Sequence, residues 1–310
     1  MTGERKHLIS IAGAALMLAA AGQAQAQQGG GQANGQPGCQ LVVEAGADQW
    51  ILNYDPFADT TASRDFDLAV VNRGTGPCTA VAGLELRGEA FGLTQGGVGD
   101  RLTYAFVDER DGSDLTPRAG QNARRISARP INLQSGERAP LRFSFAVSSN
   151  ELLPAGLFSQ SAFLTFERPN GSPLTEKPIT LGVRVAPAAL MGLKGEFQRN
   201  AGVATIDLGV LSQGTRPLNT TLYVLSTAGY RVSVSSANAG RLRQGTTDWY
   251  LPYSLVVGER PVDLSTVRSV DVVSIRARQD DYPLAISLPS TAGMRAGEYS
   301  DVIRFTVAAL

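Results

Sequence analysis

Short runs in which hydrophobic and polar residues alternate follow one another along this chain from Cys39 to Leu310. Alternation with a period of two places one row of side chains on each face of a β-strand. Gly, Pro, Asn and Asp separate the runs, and no stretch of useful length has helical periodicity. We therefore predict an all-β protein built from β-sandwiches. The predicted strands are CQLVVEA, QWILNY, FDLAVVN, AVAGLELRG, LTYAFVD, LRFSFAVS, SAFLTFE, ITLGVRV, ATIDLGVL, TTLYVLST, YRVSVSS, WYLPYSLVVG, PLAISLP and a terminal run from Ile303 to Ala309.

The alternation loosens at one place, the segment APAALMG at 186–192, and then resumes. We predict two domains, at 39–186 and 193–310, joined by a linker at 187–192. The chain is long enough to give each domain a core of ordinary size.

The first 26 residues have the features of a secretory signal. Arg5 and Lys6 are basic, an apolar run follows, and Ala24 and Ala26 form an A-x-A pattern, so we expect cleavage before Gln27. The apolar run is too short and too rich in alanine for a membrane span. The chain is therefore expected to be exported through a cleaved signal peptide.

The next segment, QQGGGQANGQPG at 27–38, is polar and glycine-rich, which predicts a flexible tail. Cys39 lies well past the cleavage site, so a lipid anchor is not expected there. In an oxidising compartment the chain's two cysteines, Cys39 and Cys78, most often pair, and two free buried thiols are the alternative. A disulfide would clamp the first strand of the N-terminal domain to a neighbouring strand.

Composition argues against catalysis and nucleic-acid binding. The net charge is near zero, so no basic excess attracts nucleic acid or an anionic membrane. The only histidine, His7, leaves with the signal, which excludes the usual Ser-His, Cys-His and imidazole–metal chemistry. We expect a protein that is not an enzyme and needs no cofactor or metal. An enzyme built on carboxylates is an alternative that no motif supports.

Two N-terminal clusters could bind a ligand, and each has a simpler interpretation. Trp50, Tyr54 and Phe57 could form an apolar binding tip, although alternating strand residues more often belong to the core. A group of aspartates could hold calcium through oxygen ligands, but their spacing matches no EF-hand loop and favours a solvated loop. These aspartates are Asp48, Asp55, Asp59, Asp65 and Asp67.

Two loop segments each allow a functional and a simpler interpretation. NRGTG at 72–76 is glycine-rich, but it follows a strand and no helix follows it, so a turn is favoured over a phosphate site. DERD at 108–111 could supply paired carboxylates, yet its surroundings predict a solvated turn.

The two halves share a signature. AGLFS at 155–159 and AGEYS at 296–300 each precede an alternating strand, and the glycine suits a turn that enters the strand. The match falls at the corresponding end of both strand sets, which indicates a duplication. The corresponding residues are Ala162, Leu164 and Phe166 in the first copy and Ile303, Phe305 and Val307 in the second.

AGEYSD at 296–301, followed by an alternating strand, resembles the closing motif of the spore coat protein U family, whose members include subunits of archaic, Csu-type chaperone-usher pili. WYLPYSL at 249–255 resembles the family's Y-x-L strand, and YRVSVSSANAGRL at 230–242 its strand that leads to a glycine and a leucine. The resemblance is good over 193–310 and weaker over 39–186. The C-terminal half lacks the cysteine pair common in the family.

The resemblance implies immunoglobulin-like sandwiches that lack their last strand. A periplasmic chaperone fills the gap first, and the N-terminal extension of the next subunit replaces it; backbone hydrogen bonds give affinity and side-chain pockets give register. The terminal strand, with nothing after it, would then border a donor-strand groove lined by Ile303, Phe305 and Val307. The implied partners are the chaperone, the usher and a neighbouring pilus subunit, and the implied location is the periplasm and then the cell surface.

The N-terminal half differs, because ITLGVRV at 179–185 follows the repeated strand and could close that domain from within. The tail at 27–38 lacks the large alternating apolar residues of a donor strand. A subunit that accepts but does not donate belongs at one end of a fibre, so the chain is interpreted as a two-domain tip adhesin. The alternative is a freestanding secreted or periplasmic sandwich that binds glycan or protein. A pilus chaperone also has two such domains, but the terminal match is to a subunit.

Overall fold

The computed structural model of the chain describes residues 38–44, 46–58, 61–117, 125–147 and 152–310. Regular secondary structure in this part is entirely β, which confirms the predicted fold class. No helix long and apolar enough to span a membrane occurs among these residues. The predicted signal at 1–26, all of the predicted tail except Gly38, and Asp59 lie outside them.

Within the described residues of the N-terminal half, twelve strands form two sheets. The first sheet has the strand order β1-β3-β10-β7-β8, and the second has the order β2-β12-β11-β4-β9, with β5 paired to β11 and β6 paired to β5. The strands are β1 (Leu41–Glu44), β2 (Gln49–Tyr54), β3 (Ala62–Asn72), β4 (Cys78–Glu85), β5 (Leu93–Gln95), β6 (Val98–Leu102), β7 (Ala105–Asp108), β8 (Ser113–Asp114), β9 (Ile131–Leu133), β10 (Arg138–Val147), β11 (Gly156–Glu167) and β12 (Pro173–Val185).

An aromatic cluster fills the space between these two sheets. Trp50 of the second sheet stacks on Phe66 of the first, with ring centroids 4.8 Å apart, and lies 5.7 Å from Phe106. Phe106 in turn stacks on Phe143 at 5.4 Å. Trp50, Phe106 and Phe143 are fully buried, so this cluster anchors the N-terminal core.

The cysteines form a disulfide, with a Cα–Cα distance of 5.1 Å. Cys39 precedes β1 in the first sheet, whereas Cys78 begins β4 in the second. The expectation that the bond joins neighbouring strands was therefore wrong, because it ties one sheet to the other. The bond thus holds the sandwich together at one end.

Thirteen strands follow in the C-terminal half. The sheets have the orders β13-β16-β23-β20-β21, β22-β17-β25 and β19-β18-β24, and β14 and β15 form a separate hairpin. The strands are β13 (Ala189–Gly195), β14 (Gln198–Asn200), β15 (Val203–Thr205), β16 (Gly214–Ser226), β17 (Tyr230–Ser236), β18 (Arg241–Gln244), β19 (Tyr250–Pro252), β20 (Ser254–Val257), β21 (Arg260–Val262), β22 (Arg268–Val272), β23 (Arg278–Leu288), β24 (Tyr299–Ser300) and β25 (Ile303–Ala309).

Two segments near the middle of the chain have a local structure different from the one expected. Most of the expected linker at 187–192 belongs to β13, which pairs with β16 at the edge of its sheet and so has little need of strict alternation. Conversely, most of the expected strand ATIDLGVL lies in a loop. Asp207 accepts a hydrogen bond from the backbone of Gly209 (2.8 Å), and Gly209 has a φ of 57°, so the chain turns where a strand would continue.

Candidate strand-acceptor site

The two halves repeat one architecture. In the first sheet of each half, the strands lie in the order first, second, fifth, third, fourth as counted along the chain. Five further strands of the N-terminal half also correspond, since β9-β4-β11 matches β22-β17-β25 and β6-β5 matches β19-β18. Two sandwiches with the same order of strands support the duplication inferred from the sequence.

The repeated signature has the same local structure in both copies. Gly156 and Gly297 have φ values of 142° and 146°, where a side chain is disfavoured. A Cβ atom on Gly156 would lie 2.1 Å from Gln95 Nε2, and one on Gly297 would lie 2.5 Å from Gln244 Nε2. Each glutamine donates a hydrogen bond to the carbonyl of the alanine that directly precedes the glycine, at 3.1 Å in the first copy and 2.7 Å in the second. Backbone conformation therefore favours glycine at both positions, and a side chain there would also displace the glutamine amide.

The copies diverge on one side of the repeated strand. In the N-terminal half, β12 pairs antiparallel with β11 along its whole length, and β2 pairs parallel with β12. The apolar row of β12 and the facing row of β11 are almost completely buried. The β12 residues are Ile179, Leu181, Val183 and Val185, and those of β11 are Ala162, Leu164 and Phe166.

In the C-terminal half, β25 pairs with β17 on one side only, and no other strand of the described residues lies along its second edge. The predicted groove residues Ile303, Phe305 and Val307 point to one face and are each partly exposed. Ile303 and Phe305 pack against the C-terminal core. The structure thus brings the three residues together in one row along an open strand edge.

The strand β13, from the first sheet of this half, lies close to β25. Cα atoms of β13 lie within 8 Å of Cα atoms of β25, although no strand pairing joins the two. In the N-terminal half the corresponding strand, β1, approaches β12 rather than β11. A strand added to the free edge of β25 would therefore lie close to β13, as β12 lies close to β1 in the N-terminal half.

One polar residue interrupts the apolar row that leads into β25. The Asp301 carboxylate accepts hydrogen bonds from Tyr253 Oη (2.6 Å), Ser236 Oγ (2.5 Å) and the backbone nitrogens of Asn238 (3.0 Å) and Val302 (2.8 Å). Burial raises the pKa of the Tyr253 hydroxyl, and the hydrogen bond to Asp301 raises it further, so this hydroxyl remains a donor. Sequence reasoning missed this group.

The N-terminal copy has a matching group. Gln160 stands at the position of Asp301, and its Oε1 accepts hydrogen bonds from Tyr104 Oη (3.1 Å) and the backbone of Gly92 (3.2 Å). Tyr104 directly precedes β7, as Tyr253 directly precedes β20. Aligning the two signatures would have paired Gln160 with Asp301 and marked both as polar residues in an apolar row.

The other clusters considered in the sequence have structural roles. Trp50 and Tyr54 are buried, in line with the preferred core interpretation, while Phe57 is partly exposed. Asp48 pairs with Lys177, and Asp67 pairs with Arg142 at 2.7 Å. No cluster of three or more His, Cys, Asp or Glu suited to a metal ion occurs within the described part of the chain.

The two loop segments differ in how well they were predicted. Asn72 begins a turn, and its buried side-chain amide donates to the carbonyl of Gly76 at 2.7 Å. The expectation of a solvated turn at 108–111 was wrong for Asp108, which is fully buried. Arg110 neutralises it, with Nη2 2.5 Å from Oδ2 and Nε 3.0 Å from Oδ1. The ion pair with Arg110 thus takes the place of water around the Asp108 carboxylate.

No protein-family model matches the chain, and no curated protein matches it. Among solved structures, the chain is similar to the CsuC–CsuE chaperone–tip adhesion subunit complex from archaic Csu pili of Acinetobacter baumannii (TM-score 0.45, 11% identity, 84% of this chain and 97% of the other). It is also similar to the CupB6 tip adhesin of Pseudomonas aeruginosa (0.36, 11%, 88% and 94%) and to the CooA pilin subunit of enterotoxigenic Escherichia coli (0.33, 14%, 48% and 99%).

Proposed function

We propose that this chain is an exported structural and adhesive subunit at the tip of a chaperone-usher pilus, and that its C-terminal sandwich accepts a donor strand. The observation that carries the proposal is the contrast between β11, which β12 covers, and β25, whose second edge no described strand covers. The partners are a periplasmic chaperone, an usher and the neighbouring subunit.

An open edge of this kind favours strand addition. A strand beside β25 would pair with its unused backbone N–H and C=O groups and would bury Ile303, Phe305 and Val307. Left open, the same edge is a site for aggregation in an exported protein. A partner that covers the edge during export, and a subunit that covers it afterwards, would remove that liability.

The N-terminal sandwich supports a position at the tip. Its own β12 occupies the place that is open in the C-terminal half, and Leu181 and Val183 of this strand are fully buried. The sequence at 27–38 has no apolar side chain larger than alanine or proline, so it is poorly suited to donate a strand. An acceptor edge in the described part of the chain, together with a tail sequence poorly suited to donate a strand, fits a terminal subunit whose N-terminal sandwich faces outward to bind a surface.

Fusing a donor peptide to the chain tests the proposal. A peptide with Ile, Leu or Val at alternate positions, joined after Leu310 through a Gly/Ser linker, is expected to raise the melting temperature of the C-terminal sandwich and to convert aggregate to monomer. The matched control carries serine at the same alternate positions and should have neither effect. A chain that is already monomeric, and that melts at the same temperature with either peptide, would show that β25 is the edge of a complete sandwich.

A further inference from the structure

We propose that Asp301 is a positioning residue that holds β25 in place while the acceptor edge is empty. This inference rests on the proposed function, because it assigns a task within the same site. It starts from the carboxylate that lies on the same side of the chain as Ile303, Phe305 and Val307, directly before the open strand.

The hydrogen bonds of Asp301 tie together three separate segments. Ser236 ends β17, and Asn238 follows it in the turn to β18. Tyr253 precedes β20 in the facing sheet, and Asp301 itself joins β24 to β25. All of these groups donate and the carboxylate accepts, so each of its oxygens has two partners. A carboxylate that receives several hydrogen bonds is a strong local constraint.

The N-terminal copy shows why the open edge needs such a constraint. There β11 is fixed on its second side by β12, and Gln160 occupies the equivalent position. Gln160 is 3% exposed and acts as a neutral group that both accepts from Tyr104 and donates to the carbonyl of Ala90 (2.6 Å). β25 has no described second neighbour, so the link from Asp301 to the facing sheet supplies part of the restraint that β12 supplies to β11.

A positioned edge matters for binding because a strand adds only to an edge that is already extended. If β25 frays, the incoming strand must also restore its order, and this reduces the affinity. Asp301 therefore acts mainly on the empty form. Once a donor strand pairs with β25, the hydrogen bonds of Asp301 become one constraint among many.

The test compares Asp301→Asn with the original chain, each with and without the donor peptide fused after Leu310. In the empty chain, hydrogen exchange of those amides of 303–309 that bond to β17 is expected to become at least tenfold faster in the variant. In the fused chain the difference should fall below threefold. Tyr253→Phe removes one donor and leaves the carboxylate, so it provides a milder variant that should show the same pattern.

Asp271→Asn is the matched control, because Asp271 is an exposed carboxylate whose partner, Arg231, lies on β17 (2.6 Å). It should leave the exchange of 303–309 unchanged in both forms. Equal acceleration by Asp301→Asn in the empty and fused chains would reduce Asp301 to an ordinary structural residue, and no acceleration in either form would remove its role. An original chain that does not respond to the donor peptide would instead contradict the proposed function, and with it the inference that depends on it.

Discussion

Phe166→Ala is expected to lower the free energy of unfolding of the N-terminal sandwich by about 3–5 kcal/mol, the usual loss for a fully buried phenylalanine. Phe166 is 1% exposed between β4 and β12. Phe305→Ala is the same substitution in the corresponding strand, where the ring is only partly buried. Because the loss scales with the apolar area removed from water, we expect it to lower the stability of the C-terminal sandwich by about 1–2 kcal/mol.

The two tryptophans allow the halves to be followed separately. Trp50 is buried in the N-terminal core, while Trp249 lies in the C-terminal half against Arg295, 4.0 Å from its ring. Urea unfolding followed by fluorescence in Trp249→Phe and Trp50→Phe backgrounds would therefore report on each sandwich. Arg304→Ala, on the exposed side of β25, should change stability by no more than about 0.5 kcal/mol.

A donor strand should increase the loss of stability caused by Phe305→Ala. With the donor peptide fused after Leu310, the ring becomes buried and the loss caused by Phe305→Ala is expected to approach the loss caused by Phe166→Ala. Equal losses at the two positions without any donor would mean that β25 is already covered, and would contradict the open edge.

The long strands were the easiest part of this fold to predict. Parts of β11 and β12 alternate between buried and more exposed residues because one face of each strand packs on a core, and this alternation is visible in the sequence. β13 was missed because an edge strand with Leu190 44% exposed has no consistent buried face. The opposite error, at 204–211, came from apolar residues such as Leu208 and Leu211, which pack on the core from a loop.

The candidate site was only partly predictable for a related reason. Alternation in the sequence placed Ile303, Phe305 and Val307 in one row, because the face of a strand on which a residue lies is set by its position relative to its neighbours. The partners of Asp301 lie 48 to 65 residues away along the chain at Tyr253 and Ser236, so no local pattern links them. Asp108 shows the same limit, because its burial depends on how strands distant in sequence pack around it.

Removing the disulfide is expected to lower the stability of the N-terminal sandwich by about 4 kcal/mol, from the loop-closure entropy of 39 residues. The bond joins Cys39, just before β1 of the first sheet, to Cys78, the first residue of β4 in the second sheet. In the unfolded chain it restricts the conformations of the segment between the two cysteines. Cys78 is 2% exposed, and alanine is the replacement that adds no buried polar group.

The double variant Cys39→Ala/Cys78→Ala should therefore unfold at lower urea concentration when Trp50 is the reporter, and at the original concentration when Trp249 is the reporter. The second result is the internal control, because the C-terminal half contains no cysteine. Unreduced protein, unfolded in denaturant, should show no titratable thiol. Two titratable thiols would show that the bond does not form. A decrease of less than about 1 kcal/mol in the free energy of unfolding, where chain entropy predicts about 4 kcal/mol, would show that the bond does not stabilise this sandwich. Because the expected loss is a large share of the stability of an ordinary domain, chains made in a reducing compartment should yield little folded N-terminal sandwich.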